Sequence, residues 1–225
     1  LTADGTKAIV YGQNSQRVAV YNISGASAPT LSSVSAVITQ IGDGADMEIY
    51  GQYAFIPSRT QQALTVVNIS TSPPVYVTNV ASGSSRMTNI WGVDITPDGN
   101  YAYTVSFNSS AACWFHVIDI STPTAPSIVG SLDLTTAIGG GWVFCDKVKV
   151  RGQNTAFVSF NDGNAIASVN TTTKTAPALL STVAPPANAA NIGRMDLAQS
   201  GNIMVAVTAA TGYIHPLNVT SPSAL

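Results

Sequence analysis

One short pattern recurs along this chain and limits its fold more than any other feature. An octet reading Asn or Asp, aliphatic, Ser or Thr, then turn residues ending on Ala-Pro occupies residues 22–29, 119–126 and 170–177, with looser copies at 68–74 and 218–225. Its leading Asn or Asp recurs at intervals of 46, 51, 51 and 48 residues. A second marker keeps the same period: Gly5, Gly51, Gly99, Gly152 and Gly201 each stand 17 to 20 residues ahead of an octet. Between the markers, apolar residues come in short β-branched and aromatic bursts bounded by Gly, Pro, Asn and Ser, which is strand rather than helix chemistry. In the third repeat this predicts strands over 93–96, 101–106, 114–120 and 127–132, the first two joined by the Pro97-Asp98-Gly99-Asn100 turn. The octet Asn or Asp can accept a hydrogen bond from turn backbone, and the proline after it removes a donor that would extend the ladder.

Four antiparallel strands per period of this length are the unit of a β-propeller, in which radial stacking buries both faces of each sheet. The expected fold is therefore all-β, a propeller of four-stranded antiparallel blades in a single domain. Five repeats are visible, approximately 1–46, 47–92, 93–146, 147–194 and 195–225, the first and last incomplete. Buried faces account for an apolar share of 45%. Charged residues make up only 9%, against roughly 25% in an ordinary domain. Nine Lys and Arg with no basic run give little counterion release, so nucleic acid is not an expected partner. No apolar run approaches the roughly 20 residues of a membrane span, so direct membrane insertion is not expected either.

Residues 117–126, Val-Ile-Asp-Ile-Ser-Thr-Pro-Thr-Ala-Pro, followed by Ile-Val-Gly-Ser at 128–131, resemble the LVIVD repeat. The turn Asp-Gly-Asn-Tyr-Ala-Tyr at 98–103 is similar to that of YVTN-type propeller repeats. The likeness runs over nearly the whole chain, close in repeat three, fair in repeats one and two, and confined to spacing in repeats four and five. It implies a β-propeller, often secreted or at the cell surface and used for interaction, and it implies no particular reaction.

Aligned on Asp4-Gly5, the chain starts inside the first strand of repeat one, and residues 224–225 align with 125–126, so repeat five stops before its outer strand. About 18 strands are expected, where five full blades have 20. Either this is a window from a longer propeller, or copies of the chain or other surface proteins complete the open ends by strand complementation.

Cys113 and Cys145 precede strands that begin on one face, so they fit a disulfide between neighbouring blades; two separate buried thiols are the alternative. Neither a CxxC pair nor clustered histidines accompany them, and no metal or other cofactor is expected. His116 and His215 both stand three residues before their octet Asn or Asp, as ordinary strand histidines. Glu48, Asp94, Lys149 and Asp196 occupy the middle of aligned inner-strand triplets and are expected around the propeller axis; the lysine argues for a mutually bonded structural set over a cation ring. Asn161-Asp162-Gly163-Asn164 reads as a hairpin turn rather than a calcium loop.

Trp91 and Trp142 are placed in connections between blades, on one face with Arg59, Asn108 and Asn161. They serve either as a ligand face for a sugar or protein or as wedges packed between blades. Sequons stand at Asn22, Asn68, Asn108, Asn170 and Asn218, sites for covalent N-glycans, and four of them coincide with the octet position. The functional expectation is a noncatalytic, secreted or cell-surface structural or interaction module, glycosylated and built into an assembly or filament. Two alternatives stand beside it. One is a phage or virion surface protein. The other is a carbohydrate-binding or hydrolytic propeller, which needs acids converging near the indoles, with Asp43, Asp46 and Asp146 the candidates.

Overall fold

The computed structural model describes residues 1–25, 28–81, 83, 85–108, 112–138, 144–161, 165–183, 192–198, 200–208 and 212–223. Among them eighteen strands form five antiparallel sheets, each with its strands in chain order. The first sheet holds β1 (Lys7–Gly12), β2 (Arg17–Asn22) and β3 (Thr30–Val34). The second holds β4 (Glu48–Tyr50), β5 (Tyr53–Ser58), β6 (Ala63–Asn68) and β7 (Val75–Ala81). The third holds β8 (Ile90–Ile95), β9 (Tyr101–Phe107), β10 (Cys113–Asp119) and β11 (Ser127–Asp133). A single helical turn, α1 (Leu134–Ala137), follows it, capped by the Asp133 carboxylate accepting from Thr136 N. The fourth holds β12 (Cys145–Arg151), β13 (Thr155–Phe160), β14 (Ala165–Asn170) and β15 (Ala178–Val183). The fifth holds β16 (Ile192–Leu197), β17 (Ile203–Thr208) and β18 (Ile214–Asn218). The fold is the β-propeller class read from the sequence.

Both repeat markers have a backbone cause. All five marker glycines take a positive φ, between 57° and 72°, where a side chain is disfavoured; Gly51, Gly99, Gly152 and Gly201 lie at the turn joining the first two strands of a sheet, and Gly5 at the turn leading into β1. The octet Asn or Asp ends the third strand and closes an Asx turn on the amide two residues on: Asn68 to Ser70 N, Asp119 to Ser121 N, Asn170 to Thr172 N and Asn218 to Thr220 N, all at 2.8–3.0 Å. Just ahead of it a bulge shifts the register at Val20/Tyr21, Val66/Val67, Val117/Ile118 and Ser168/Val169. Bulge and Asx turn together thus turn the chain toward its outer strand in three successive sheets, the second to the fourth.

Packing follows the repeat. Each of the four apolar clusters lies between two consecutive sheets: Val20 and Ile41 with Ala54 and Ile56; Phe55 and Leu64 with Ile90 and Ile118; Tyr103 and Phe115 with Val148 and Val158; Phe157 and Ile166 with Met195 and Met204. The middle strands β5, β6, β9 and β13 are buried on both faces because a sheet lies on either side. In the first and fifth sheets β2 and β17 alternate instead, buried on one face. Polar ties cross the same interfaces, including the Tyr103 hydroxyl donating to Thr171 Oγ1 at 2.8 Å and Val150 N donating to Asp94 Oδ2 at 2.7 Å.

Candidate functional site

The inner strands depart from regular pairing at one repeated place. Register shifts fall between Ile90 and Gly92 in β8 and between Cys145 and Lys147 in β12, which leaves Trp91 and Asp146 as the bulged residues. A bulge re-aims a side chain that a regular pleat would direct elsewhere. Both of these side chains wall one small cavity of about 60 Å³, with Phe107, Phe144, Cys145 and Asn161. That volume suits one substituent or a couple of waters, each water occupying about 30 Å³ in the liquid. Trp91 therefore sits inside an inner strand, not in the inter-blade loop expected from the sequence; the extra residue of the bulge imitates a loop in the pattern. Trp142 and residues 162–164 lie outside the described residues.

Arg59, in the turn after β5, lays its guanidinium over the Trp91 ring at 4.3 Å from the centroid and pairs with Asp43. Trp91 stacks on Phe107 at 6.1 Å, and Phe107 meets Phe144 edge-on at 4.1 Å. Trp91 Nε1 and Arg59 Nε are buried without a hydrogen-bond partner among the described residues.

Below this cavity the inner strands collect charge. Lys147, almost wholly buried, donates to Asp46 Oδ2 at 2.9 Å. Lys149 Nζ stands 3.6 Å from Glu48 Oε1 of the second sheet and 3.6 Å from Asp196 Oδ1 of the fifth, with Asp94 of the third also in its field. Arg194 lies within the electrostatic field of Asp146. Asp43, Asp46, Glu48, Asp94, Asp146 and Asp196 with Arg59, Lys147, Lys149 and Arg194 account for ten of the chain's twenty charged residues. A chain poor in charge has gathered half of it in one place. The four expected axial residues do meet, and Lys149 is their hub. Lys147 and Arg194 were missed from sequence, although the crowded Asp146-Lys147-Val148-Lys149 segment was a readable signal.

Burial and neighbouring carboxylates tune these groups. Glu48, the only glutamate, is pushed up from 4.5 to about 7, by burial first and then by Asp94, with Lys149 opposing. Burial likewise raises Asp94 and Asp146. Burial works against the charge of Lys149, yet Asp94, Glu48 and Asp196 outweigh it and hold the ammonium above its ordinary range. The arrangement places a carboxyl that titrates near neutrality beside a fixed cation. Among the described residues no cluster of His, Cys, Asp and Glu is arranged to hold a metal ion.

The remaining candidates fall elsewhere. Cys113 and Cys145 form a disulfide, Cα atoms 5.8 Å apart, tying the first residues of β10 and β12 across the third and fourth sheets. His116 is fully buried in β10 between Ser106 and Ser131, and burial drives it down to about 4, so it is a neutral structural residue. His215 lies on β18 in the fifth sheet, at the same repeat position as His116 but two sheets away. The sequon residues Asn68, Asn170 and Asn218 use their side-chain oxygens in Asx turns, Asn108 accepts from Ala112 N at 3.0 Å, and Asn22 ends β2. No helix among the described residues is long and apolar enough to cross a membrane.

A repeat-built stack of antiparallel blades with its charges drawn to the inner strands is a β-propeller. The LVIVD repeat model matches at residues 41–81 and 93–134, so the chain carries two LVIVD repeats within its β-propeller fold. It is similar to a solved Lactobacillus plantarum protein at 14% identity and TM-score 0.71, covering 95% of this chain and 67% of that one. It is similar to the Pseudomonas aeruginosa periplasmic gluconolactonase at 14% identity and TM-score 0.74, covering 99% and 65%. It is also similar to a candidate 6-phosphogluconolactonase of Bacteroides fragilis at 14% identity and TM-score 0.68, covering 96% and 68%. The chain thus spans about two thirds of the length of these structures. Comparison with curated proteins gave no sequence match.

These findings correct the functional expectation. A noncatalytic structural module in a surface assembly is overturned by structural neighbours that include lactone hydrolases, and nothing supports a structural role directly. The physical reason for the error is that a low overall charge says nothing about where the charges are, and here they converge on the acids and Trp91.

Proposed function

We propose that this chain belongs to a hydrolytic propeller acting on a small cyclic ester of the sugar-lactone class at the inner-strand charge cluster. The observation that carries this reading is Glu48, held at about 7 and 3.6 Å from the Lys149 ammonium. A carboxyl titrating near the working pH is suited to general-base catalysis. Glu48 takes a proton from water as the water oxygen attacks the ester carbonyl carbon. Lys149 stabilises the negative charge that develops on the carbonyl oxygen. The ring C–O bond then breaks, and the proton on Glu48 passes to the departing alkoxide, leaving a hydroxy acid. The cavity walled by Trp91 and Asp146 receives one substituent of the substrate. The lactone hydrolases among the proteins of this fold support the substrate class.

The test is hydrolysis of glucono-δ-lactone, followed by base uptake against the spontaneous rate. The expected result is acceleration by the native protein and a loss in kcat of about 10²–10⁴ for Glu48→Gln with the fold retained. No acceleration, or a fully active Glu48→Gln, refutes the reading. We also place the protein in an oxidising compartment outside the cytosol, which the Cys113–Cys145 disulfide supports. N-glycans at the five sequons, Asn108 foremost, belong to the same proposal, and mass spectrometry of native material tests it.

A further inference from the structure

A second hollow opens between the first and second sheets, away from Glu48 and Lys149. It measures about 290 Å³ and is lined by Gln13, Asn14 and Gln16 of the β1–β2 turn, Gly42 and Asp43 of the segment before β4, and Thr60 of the β5–β6 turn. Its walls are held from below. Asp43 N donates to Thr60 Oγ1 at 3.2 Å, Arg59 N donates to Asp43 O at 3.2 Å, and Arg59 pairs with the Asp43 carboxylate. Gly42 has φ +53°, and a Cβ there would collide with Thr60 Oγ1 and Ser58 Oγ, so the close approach of these segments depends on glycine.

Gln16 carries the strongest signal. It sits at φ 51°, a left-handed conformation that disfavours any side chain, and Gln62 sits at φ 53° in the corresponding turn of the second sheet. Glycine would satisfy the turn without strain. The backbone of Gln16 is fixed from both sides, its N–H donating to Gly12 O and its carbonyl accepting from Ile38 N, each at 2.8 Å. A glutamine therefore stands at a turn geometry that penalises it, in the lining of the hollow.

We propose that this hollow is a binding site for a neutral monosaccharide ring. Three primary amides and a hydroxyl offer both donors and acceptors without net charge, which matches vicinal hydroxyl groups. The Asp43 carboxylate adds acceptor capacity while its charge is met by Arg59. An anion would face that carboxylate with no free cation in the lining, a divalent cation would find a single paired carboxylate, and an apolar ligand would find a largely polar wall. The volume is at the small end of ligand pockets, suited to one ring rather than an extended peptide. The inference does not rest on the hydrolytic reading, since Glu48, Lys149, Trp91 and Asp146 take no part in it, and only the Asp43–Arg59 pair borders both.

The experiment is a titration of the ¹⁵N-labelled chain with D-glucose, D-galactose, D-mannose and N-acetylglucosamine, followed at the side-chain amide resonances of Gln13, Asn14 and Gln16, with tetraglycine as a peptide control. Saturable shifts at these amides with one or more sugars and none with tetraglycine are expected, with affinity in the millimolar range. Gln16→Gly should weaken the sugar about tenfold while raising the melting temperature, because the strained backbone is relieved. Absence of shifts with all four sugars, shifts produced equally by tetraglycine, or undiminished binding by Gln16→Gly overturns the proposal.

Discussion

Glu48→Gln should stabilise this protein in alkaline solution while leaving it unchanged in acid. The carboxyl binds its proton more tightly in the folded chain, at about 7, than in the unfolded chain, near 4.5. Its contribution therefore favours the folded state below about 4.5 and is lost as pH rises through 7. The whole shift corresponds to about 3.4 kcal/mol at pH 8. A third of the side chain is in solvent, so screening reduces this to about 1–2 kcal/mol. Glutamine fills the same space without the charge. The attraction of Lys149 is already contained in the value of about 7, so losing that pairing subtracts nothing further, and Lys149 keeps Asp94 and Asp196. The net expectation is a variant about 1–2 kcal/mol more stable than the native chain at pH 8, or about 2–8 °C in melting temperature for a chain of this size, and close to it at pH 4.5. Urea unfolding of both proteins at the two pH values measures the difference, and the parallel titration of Asp146 cancels in the comparison. A variant less stable than the native chain at pH 8, or one displaced equally at both pH values, would refute the account of Glu48 as a strained, functionally poised carboxyl.

Two further outcomes test the frame that holds the site. Replacing Cys113 and Cys145 together by serine frees a 32-residue separation in the unfolded chain and should lower stability by about 3–4 kcal/mol, measured by urea unfolding with and without reductant on the native protein; a loss under about 1 kcal/mol would remove the disulfide as a support of the third and fourth sheets. Gly92→Ala places a Cβ 2.9 Å from Asp146 O and 3.0 Å from Lys147 Cα and Val148 N, all backbone, and should cost about 1–3 kcal/mol while shifting Asp146 in the cavity, read from unfolding and from Trp91 fluorescence. An alanine variant with native stability and spectrum would mean that the inner strands pack less closely than described.

The repeat decided the fold because its markers are local. A left-handed turn needs glycine at Gly51 or Gly99 whatever surrounds it, and an Asx turn needs Asn68 or Asp119 at the end of a strand, so neither depends on distant contacts. The blades, their order and the alignment of Glu48, Asp94, Lys149 and Asp196 were legible for that reason. The disulfide partners were compatible by position, and only the packing of β10 against β12 brought them into contact. The bulges at Trp91 and Asp146 were not legible, because one extra residue in an inner strand looks the same as one more residue of loop. Most of all, sequence counted twenty charges and could not locate them. Side chains from residues 43 to 196 converge only when sheets stack side by side, and the burial that lifts Glu48 to about 7 is a property of that stack, absent from any single strand.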